Sequence, residues 1–228
     1  DRPALERMSR AMRERGPDDR GEFLGTGTGW GHRRLSILDL SDAGRCPISN
    51  SDGSIQVVHN GEIYNHEKIR SEIGGQWQTL SDSESILQGY IKWGREVVHH
   101  LDGVFAFIIF DKDDFLVARD PIGVKPLYWC QDQSGRYLFA SEMKALDTYD
   151  VEVKEFPPGH YFSMQTGFVQ YFSPTWFNDS IPSGSADLIK DRLIAAVDKR
   201  LMSDVPIGSL LSGGLDSSLI TSIASRLL

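Results

Sequence analysis

Cysteine is scarce in this sequence, and its scarcity excludes two kinds of small stabilised protein. Only Cys46 and Cys130 occur among 228 residues, far apart and without a C-x-x-C spacing. A disulfide framework or a zinc knuckle requires several closely spaced cysteines, so neither is predicted. Two ordinary thiols are typical of a reducing compartment, and we expect a cytoplasmic protein.

Long apolar runs and an excess of positive charge are also missing. No stretch is long and apolar enough to cross a bilayer, and the start at Asp1 has neither an initiator methionine nor the apolar core of a signal peptide. The formal net charge of -8 gives no general attraction to nucleic acid or anionic lipid. The six histidines show no ligand spacing, so no metal site is predicted. Small-molecule chemistry is therefore the better expectation, with no nucleic acid or membrane as a partner.

The first 173 residues combine helical and alternating apolar patterns. Consecutive hairpins between helices favour an α+β domain with antiparallel sheets, because parallel strands would need a long crossover between each pair. The predicted elements, in chain order, are a helix on Leu5, Met8 and Met12 that ends before Gly16-Pro17, strands at Gly29–Leu40 and Ile55–His59, a helix from the capping box Ser81-Asp82-Ser83-Glu84 to Gly94, a hairpin of Val104–Phe110 and Phe115–Ala118 around the turn 111–114, and a hairpin of Leu127–Cys130 and Tyr137–Ala140.

The last 55 residues show a different order of elements. Pro174–Ser185 is rich in Pro, Ser, Gly and Asn, which is typical of a linker. A helix is predicted at about Asp187–Leu201, followed by an apolar strand at Val205–Leu211, a glycine loop, and a helix that opens at Asp216 or Ser217. This order of strand, loop and helix is how an α/β domain begins.

The glycine loop after Leu211 has the composition of an anion site. Glycines let a phosphate approach the backbone, and the N-terminus of the following helix favours negative charge. The loop lacks the lysine of G-x-x-x-x-G-K-[ST], so it is not a P-loop of the ATPase kind. A plain glycine turn capped by Ser217 is the alternative.

The segment His59–Asn65 is predicted to end a strand and to expose polar donors. An Asn-Gly pair ordinarily marks a hairpin turn, but a helical pattern follows Asn65 instead of a second alternating strand. The amide of Asn60 and the N–H of Gly61 are donors of the type that stabilises an oxyanion in acyl transfer.

Several motifs, in order along the chain, resemble the class II, N-terminal-nucleophile family of glutamine amidotransferases. Separate blocks in register are far more specific than any one of them. Besides His59-Asn60-Gly61-Glu62-Ile63-Tyr64-Asn65, the blocks are Arg15-Gly16-Pro17-Asp18, Gly31-His32-Arg33-Arg34-Leu35-Ser36-Ile37, Arg119-Asp120-Pro121-Ile122-Gly123, Lys125-Pro126-Leu127-Tyr128 and Ala140-Ser141-Glu142-Met143-Lys144-Ala145-Leu146.

The C-terminal run resembles the pyrophosphate-binding loop of ATP-pyrophosphatase-type ligases, and from Leu201 onward that of the asparagine synthetase family. The resemblance implies that ATP and Mg²⁺ are cofactors of the intact enzyme, with Asp216 a partner of magnesium or of the loop. The residues implied for ATP are Leu211, Ser212, Gly213, Gly214, Leu215, Asp216, Ser217 and Ser218.

The resemblance also implies an architecture. The expected fold is a four-layer αββα sandwich of antiparallel sheets, of the N-terminal-nucleophile hydrolase type, followed by the first strand, loop and helix of a truncated α/β domain. Residues 1–173 would be the amidotransferase domain, 174–186 a linker, and 187–228 the N-terminal part of the ATP-binding domain.

The family's glutamine site transfers onto seven positions. Arg34 is expected to pair with the α-carboxylate and Asp82 with the α-ammonium, with Glu62 and the backbone near Leu35 and Ile37 completing the pocket. Asn60 and the Gly61 N–H would form the oxyanion hole. The alternatives are a surface ion pair for Arg34 and a helix cap for Asp82.

The sequence departs from the family at its start. The family's nucleophile is a cysteine at the mature N-terminus, whose own amine serves as base, whereas Asp1 stands first here. Cys46 and Cys130 are internal and are not assigned this role. The family's first strand is also missing, so we expect a groove or an unpaired strand edge in the sandwich and few sheet neighbours for Val205–Leu211. Leu80 replaces a residue that is usually small or polar.

The predicted function is that of a piece of a glutamine-dependent asparagine synthetase. The resemblance implies that the intact enzyme hydrolyses glutamine and uses the ammonia to convert aspartate to asparagine through an ATP-derived β-aspartyl-AMP, whereas this chain alone would perform neither half-reaction. Glutamine, aspartate and ATP are the implied partners, and a homodimer is a candidate assembly. A β-lactam synthetase-like ligase with a glutaminase-dead domain, or a non-catalytic glutamine-binding module, are the alternatives.

Overall fold

Two units divide the chain, Asp1–Ser173 and Pro174–Leu228. The structure is a computed structural model that describes residues 2–25, 27–112, 114–147, 149–177 and 185–228. Asp1, Asp113 of the predicted turn, and residues 178–184 of the predicted linker lie outside the described residues.

The first unit contains three helices and eleven antiparallel strands in its described part. The helices are α1 (Arg2–Ala11), α2 (His66–Ile73) and α3 (Ser83–Trp93). The strands are β1 (Asp19–Gly25), β2 (Thr28–Arg34), β3 (Ile48–Ser49), β4 (Ile55–Ile63), β5 (Gly103–Asp111), β6 (Asp114–Arg119), β7 (Tyr128–Gln131), β8 (Tyr137–Ala140), β9 (Lys154–Glu155), β10 (His160–Ser163) and β11 (Gly167–Gln170).

Three sheets are built from these strands. The largest has the order β11-β10-β6-β5-β4-β3, the second β8-β7-β9, and the third is the hairpin of β1 and β2. Both predicted hairpins are confirmed, with Phe110 opposite Phe115 between β5 and β6 and Cys130 opposite Leu138 between β7 and β8.

Alternation along β5 divides the interior into two cores. Phe105 and Phe107 pack on one face of the six-stranded sheet, with Leu87 of α3, whereas Ala106 and Ile108 pack on the opposite face. Successive side chains of a strand point to opposite faces, so this single apolar strand serves both cores. The sequence of β5 therefore reads as a continuous apolar run instead of an alternating one.

Aromatic side chains fill the space between the two larger sheets. Phe139 of β8 and Phe162 of β10 lie with ring centroids 6.2 Å apart, and the core also includes Phe156. On the outer face of the three-stranded sheet, Met8 of α1 packs against Cys130. The layers are thus helices, sheet, sheet and helix, and the predicted αββα sandwich is confirmed.

Two adjacent buried charges, Arg119 and Asp120, fold the loop that follows β6. They are only 4% and 0% exposed, and their bonds run to opposite kinds of backbone group. The Asp120 carboxylate accepts hydrogen bonds from the N–H groups of Phe105, Ile122, Val124 and Lys125. The Arg119 guanidinium donates to the carbonyls of Gly123, Lys125 and Phe156.

Two predicted strand boundaries were wrong. β2 ends at Arg34 rather than Leu40, because the chain turns away at Leu38–Ser41, where Asp39 has a φ of 50°. β4 continues past His59 to Ile63, because β5 pairs with it along its whole length. The predicted oxyanion-hole donors therefore lie inside a strand, where Gly61 has a φ of 150°.

The predicted capping box at Ser81–Glu84 was also wrong. Ser81 Oγ accepts a hydrogen bond from the N–H of Ser83, but the Glu84 carboxylate accepts from Gln78 and Thr79 in the preceding loop. Glu84 is fully buried, and the backbone donors within its reach belong to that loop. Glu84 thus holds the loop against α3. Sequence patterns also missed β1 and the β10–β11 hairpin.

The second unit contains α4 (Ala186–Asp198) and α5 (Leu215–Leu227) in its described part. Ser185 caps α4, since its Oγ accepts a hydrogen bond from Leu188 N at 3.2 Å. Both predicted helices are confirmed. The predicted strand at Val205–Leu211 was wrong: the segment has no regular secondary structure, because residues 185–228 include no other strand to pair with it. Among the described residues, no helix has the length and apolar character needed to span a bilayer.

Replacement of Asp120 by alanine should destabilise the first unit. The substitution removes the acceptor of four backbone N–H groups at a fully buried site, so we expect the free energy of unfolding to fall by about 3 kcal/mol or more. Urea unfolding followed by tryptophan fluorescence measures the change. Asp52→Ala is the matched control, because exposed Asp52 accepts a turn N–H from Ser54, and it should cost less than about 1 kcal/mol. Equal losses in both variants would contradict the role of Asp120.

Candidate functional site

A cavity of about 250 Å³ in the first unit lies between β2, the end of β4 and the start of α3. It brings together all the residues predicted for glutamine, although they are distributed over nearly fifty positions of the sequence. The predicted residues that line it are Arg34, Leu35, Ile37, Asn60, Gly61, Glu62 and Asp82. The roles of these residues remain predictions.

The outer edge of β4 supplies backbone groups to this cavity. Phe105 of β5 stands opposite Gly61, and its N–H and its carbonyl both bond to Asp120 on the β6 side. In an antiparallel pair this means that Gly61 directs its own N–H away from β5. His59 and Ile63 share this direction: the His59 carbonyl accepts from His32 Nε2 at 3.0 Å, and Ile63 N donates to Asp82 Oδ2 at 2.8 Å. Along the strand, the N–H of Gly61 thus lies between His59 and Ile63, whose backbone groups are hydrogen-bonded.

Glycine is required at position 61. A Cβ there would lie 2.0 Å from the carbonyl oxygen of Val104. The neighbouring Asn60 has its Nδ2 at 3.4 Å from Ser141 Oγ, to which it donates. The amide side chain and the glycine N–H thus reach the same cavity from adjacent positions.

Asp82 connects the helix α3 to β4 rather than capping the helix. Its carboxylate is buried, makes no hydrogen bond to the first turn of α3, and accepts from Ile63 N. The cap expected as an alternative was therefore wrong. A buried carboxylate that lines a cavity supplies the negative charge that an ammonium group requires.

Arg34 shapes the loop that closes one side of the cavity. Its Nη1 donates to Ser41 O at 2.8 Å, and its Nη2 donates to Leu38 O at 3.3 Å and to Asp39 O. Arg34 is 6% exposed and has no carboxylate partner among the described residues, so the alternative of a surface ion pair was wrong. These three bonds leave two of the five guanidinium hydrogens for other acceptors.

Two histidines that were not among the predicted site residues, His32 and His59, also line this cavity. His59 Nδ1 lies 2.9 Å from Ser83 Oγ, while His32 Nδ1 and His59 Nε2 are buried with no hydrogen-bond partner among the described residues. Burial lowers the pKa of His32 to about 4, and burial also lowers the pKa of His59. Strand alternation places His59 on the buried face with Val57, which is the sequence signal that could have identified it.

Both cysteines are buried in the first unit. Burial raises the pKa of the Cys46 thiol to about 11 and also raises that of Cys130. A thiol is nucleophilic only as the thiolate. Cys46 lines the cavity but would remain protonated at neutral pH, which makes it unsuited to act as the nucleophile.

A second, smaller cavity of about 80 Å³ lies beside the first. Its walls come from β2, β4, β5 and β8, with Met12, Leu127 and Ser141 from the connecting segments. The three-stranded sheet ends at β8, and β2 belongs to a separate hairpin, so two strand edges border the same space. The cavity shares His59, Asn60 and Ser141 with the larger one.

The predicted phosphate loop lies in the second unit. Gly213 has a φ of 83°, and α5 starts directly after Gly214, which makes no side-chain cap. Ser217 Oγ lies 2.9 Å from Ser212 Oγ and donates to Gly214 O at 3.2 Å. The predicted alternative was a plain glycine turn capped by Ser217, and its cap was wrong because Ser217 does not cap α5. An uncapped helix start with an exposed glycine turn retains N–H donors for an anion.

The buried histidines should make the first unit less stable in mild acid. The unfolded chain protonates His32 near pH 6.5, whereas burial lowers its folded pKa to about 4. A depressed histidine pKa contributes stability that is complete above pH 6.5 and is lost as the pH falls toward 4. We expect this residue to account for a loss of up to about 3 kcal/mol, measured by urea unfolding at several pH values.

His32→Gln keeps a donor for the His59 carbonyl and removes the titration, so its stability should decline less between pH 6.5 and 4. His99→Gln, at an exposed position, is the control and should retain the full decline. An identical decline in wild type and His32→Gln would show that His32 does not contribute.

Two family models match consecutive stretches of the chain. The glutamine amidotransferase domain matches residues 1–167, and asparagine synthase matches residues 188–228. Together they match most of each unit.

Curated relatives are similar to nearly the whole chain. A probable glutamine-hydrolysing asparagine synthetase of Dictyostelium discoideum is 45% identical over 96% of this chain and 42% of its own length. Asparagine synthetase 2 of Oryza sativa subsp. japonica is 44% identical over 96% of this chain and 38% of its own length. A probable asparagine synthetase of Schizosaccharomyces pombe is 43% identical over 99% of this chain and 42% of its own length. The chain thus spans about two fifths of the length of these relatives.

Solved structures with the same fold include other amidotransferases. Glutamine phosphoribosylpyrophosphate amidotransferase of B. subtilis superposes with a TM-score of 0.54 at 21% identity, over 86% of this chain and 50% of that chain. The allosteric regulatory enzyme of purine biosynthesis superposes with a TM-score of 0.52 at 20% identity, over 87% of this chain and 50% of that chain. These likenesses show the fold alone. On its sequence match over residues 1–167, the chain belongs to the glutamine amidotransferase family.

Proposed function

We propose that the first unit binds glutamine and forms the glutaminase site of a glutamine-dependent asparagine synthetase. The observation that carries this proposal is the convergence of all seven predicted residues on one cavity. These residues come from β2, β4 and the start of α3, which are far apart in the sequence, and only the fold brings them together. The similarity to asparagine synthetases along the chain supports the choice of substrate.

Both charges of an amino acid have complementary groups in this cavity. Asp82 is a buried carboxylate for the α-ammonium, and the remaining donors of Arg34 suit the α-carboxylate. The loop Leu35–Ile37 would contribute backbone groups, and Glu62 a further carboxylate. The bonds of Arg34 to the loop 38–41 hold its guanidinium in place before glutamine binds.

The outer edge of β4 would stabilise the transition state. Attack on the glutamine carboxamide turns its oxygen into an oxyanion, and Asn60 Nδ2 with Gly61 N–H are donors for that charge. Because β5 and the Asp82 contact fix the strand, these donors need no rearrangement during the reaction. The Asn60 bond to Ser141 at 3.4 Å is long enough to be exchanged for a bond to the substrate.

The nucleophile would come from a strand placed between β2 and β8. Both strands border the smaller cavity, which Asn60 also lines, so a cysteine at the start of such a strand would lie near the proposed oxyanion hole. Its own α-amine would act as the base. Cys46 cannot substitute, because its raised pKa keeps the thiol protonated and it has no adjacent amine.

The second unit would supply the beginning of an ATP site. The exposed loop Ser212–Ser218, with its positive-φ glycine and uncapped helix start, fits a phosphate group. Ser212, Ser217 and Ser218 would donate to phosphate oxygens, Asp216 would hold Mg²⁺, and Leu211 would lie against the nucleotide. ATP supplies the energy to activate a carboxylate as its adenylate.

The complete reaction is a proposal for the longer protein. There, residues 1–173 would release ammonia from glutamine, and a domain beginning near residue 187 would use it to convert aspartate to asparagine. Exclusion of water along the way keeps ammonia unprotonated. A cytoplasmic location and a homodimeric assembly belong to the same proposal.

Glutamine binding tests the pocket directly. Asp82→Asn should weaken glutamine binding by about tenfold or more, because it removes the charge for the α-ammonium while its amide oxygen still accepts from Ile63 N. Titration calorimetry measures the affinity. Asp150→Asn, at an exposed position outside the cavity, is the control and should bind like wild type. Unchanged binding by Asp82→Asn, or by Arg34→Ala, would contradict the assignment.

Glutaminase activity tests the strand. We expect a chain extended at its N-terminus by a strand that begins with cysteine to release ammonia from glutamine, and the same extension with alanine in place of that cysteine to be inactive. A coupled glutamate assay measures the rate. Equal activity of the cysteine and alanine forms would refute the proposed nucleophile.

A further inference from the structure

Lys125 lines the larger cavity and has no part in the function described so far. The arginines of this cavity all have partners within the protein: Arg15 pairs with Glu142 at 3.5 Å, Arg33 donates to Ser9, and Arg34 donates to the carbonyls of its loop and keeps two hydrogens for a ligand. Within the described ranges, the Lys125 ammonium has neither a hydrogen-bond nor an ion-pair partner. An unpaired ammonium at a cavity wall suits an anionic ligand group.

The backbone of Lys125 is held from both sides. Its N–H donates to Asp120 Oδ2 at 2.9 Å, and its carbonyl accepts from Arg119 Nε at 2.7 Å. Both supporting side chains are buried, and Pro126 follows immediately. This lysine therefore projects from a fixed point rather than from a loose loop, which lowers the entropy cost of using it in binding.

Lys125 lines the larger cavity together with Asn60, Gly61 and Ser141. Leu127, two residues further on, lines the smaller cavity together with Asn60 and Ser141, whereas Arg34 and Asp82 do not. The buried His59 also experiences the lysine: burial is the main cause of its lowered pKa, and the positive charge of Lys125 adds to this effect against the opposing charge of Asp82. Lys125 thus shares a cavity wall with Asn60 and Gly61.

We propose that Lys125 recognises the γ-carboxylate of glutamate, so that the cavity binds an α-amino dicarboxylate through both of its ends. This inference rests on the proposed function, because it assumes that glutamine and its hydrolysis product occupy this cavity. Asn60 Nδ2 and Gly61 N–H are neutral donors that suit an amide oxygen. The added full positive charge favours a carboxylate over a neutral carboxamide, so Lys125 determines how strongly the product is retained.

Titration calorimetry with glutamate and glutamine on the chain as it stands tests this role. In Lys125→Met we expect glutamate affinity to fall by about tenfold or more and glutamine affinity by less than about threefold. Lys125→Arg should retain the preference of the wild type. Lys68→Met, at an exposed position on α2, removes the same charge elsewhere and should change neither affinity. An equal loss for both ligands in Lys125→Met would overturn the proposal.

A salt titration of the wild type tests the same point without a variant. Screening weakens a charge–charge contact more than a contact with a neutral amide, so the ratio of glutamate to glutamine affinity should fall about twofold or more between 0.05 and 0.5 M NaCl. A ratio that does not depend on salt would overturn the role of Lys125 while leaving glutamine binding intact. Failure of both ligands to bind at low salt would instead refute the proposed function, and this inference with it.

Discussion

The bond from Ile63 N to the Asp82 carboxylate is the contact on which the site depends. It joins the start of α3 to the outer edge of β4, at 2.8 Å and away from solvent. The helix cannot shift without moving the strand, so the start of α3 and the segment of β4 that carries Asn60 and Gly61 are held together. The Asp82 carboxylate is directed at β4 and therefore makes no helix cap.

A second constraint is the alternation of hydrogen-bond direction along β4. Every other residue turns its backbone groups away from β5, and His59, Gly61 and Ile63 are the residues that do so at the cavity. His32 and Asp82 occupy the first and last of these positions. The geometry of an antiparallel pair therefore selects which N–H can face a substrate, before any catalytic residue is considered.

Much of the sandwich could be predicted from the sequence, and the seven residues predicted for glutamine all line the larger cavity. Hairpins such as β5–β6 are predicted by apolar runs around polar turns, and the family resemblance assigned Arg34, Asn60 and Asp82 to one site. What the sequence missed depends on distant partners. β4 extends past His59 because β5 lies alongside, Glu84 turns to a loop within its reach, and Val205–Leu211 has the composition of a strand but no neighbour to pair with.

The way Arg119 and Asp120 hold their loop also bears on how the protein can change over evolutionary time. Both residues bond to backbone atoms of the loop that follows them, so the side chains of that loop contribute little to its conformation. Ile122 and Val124 are 68% and 51% exposed, and substitutions there would leave the backbone bonds in place. The loop can thus diversify its surface while keeping Lys125 at the cavity. The exposed side chains of this loop can therefore change under selection while the backbone that supports the cavity stays the same.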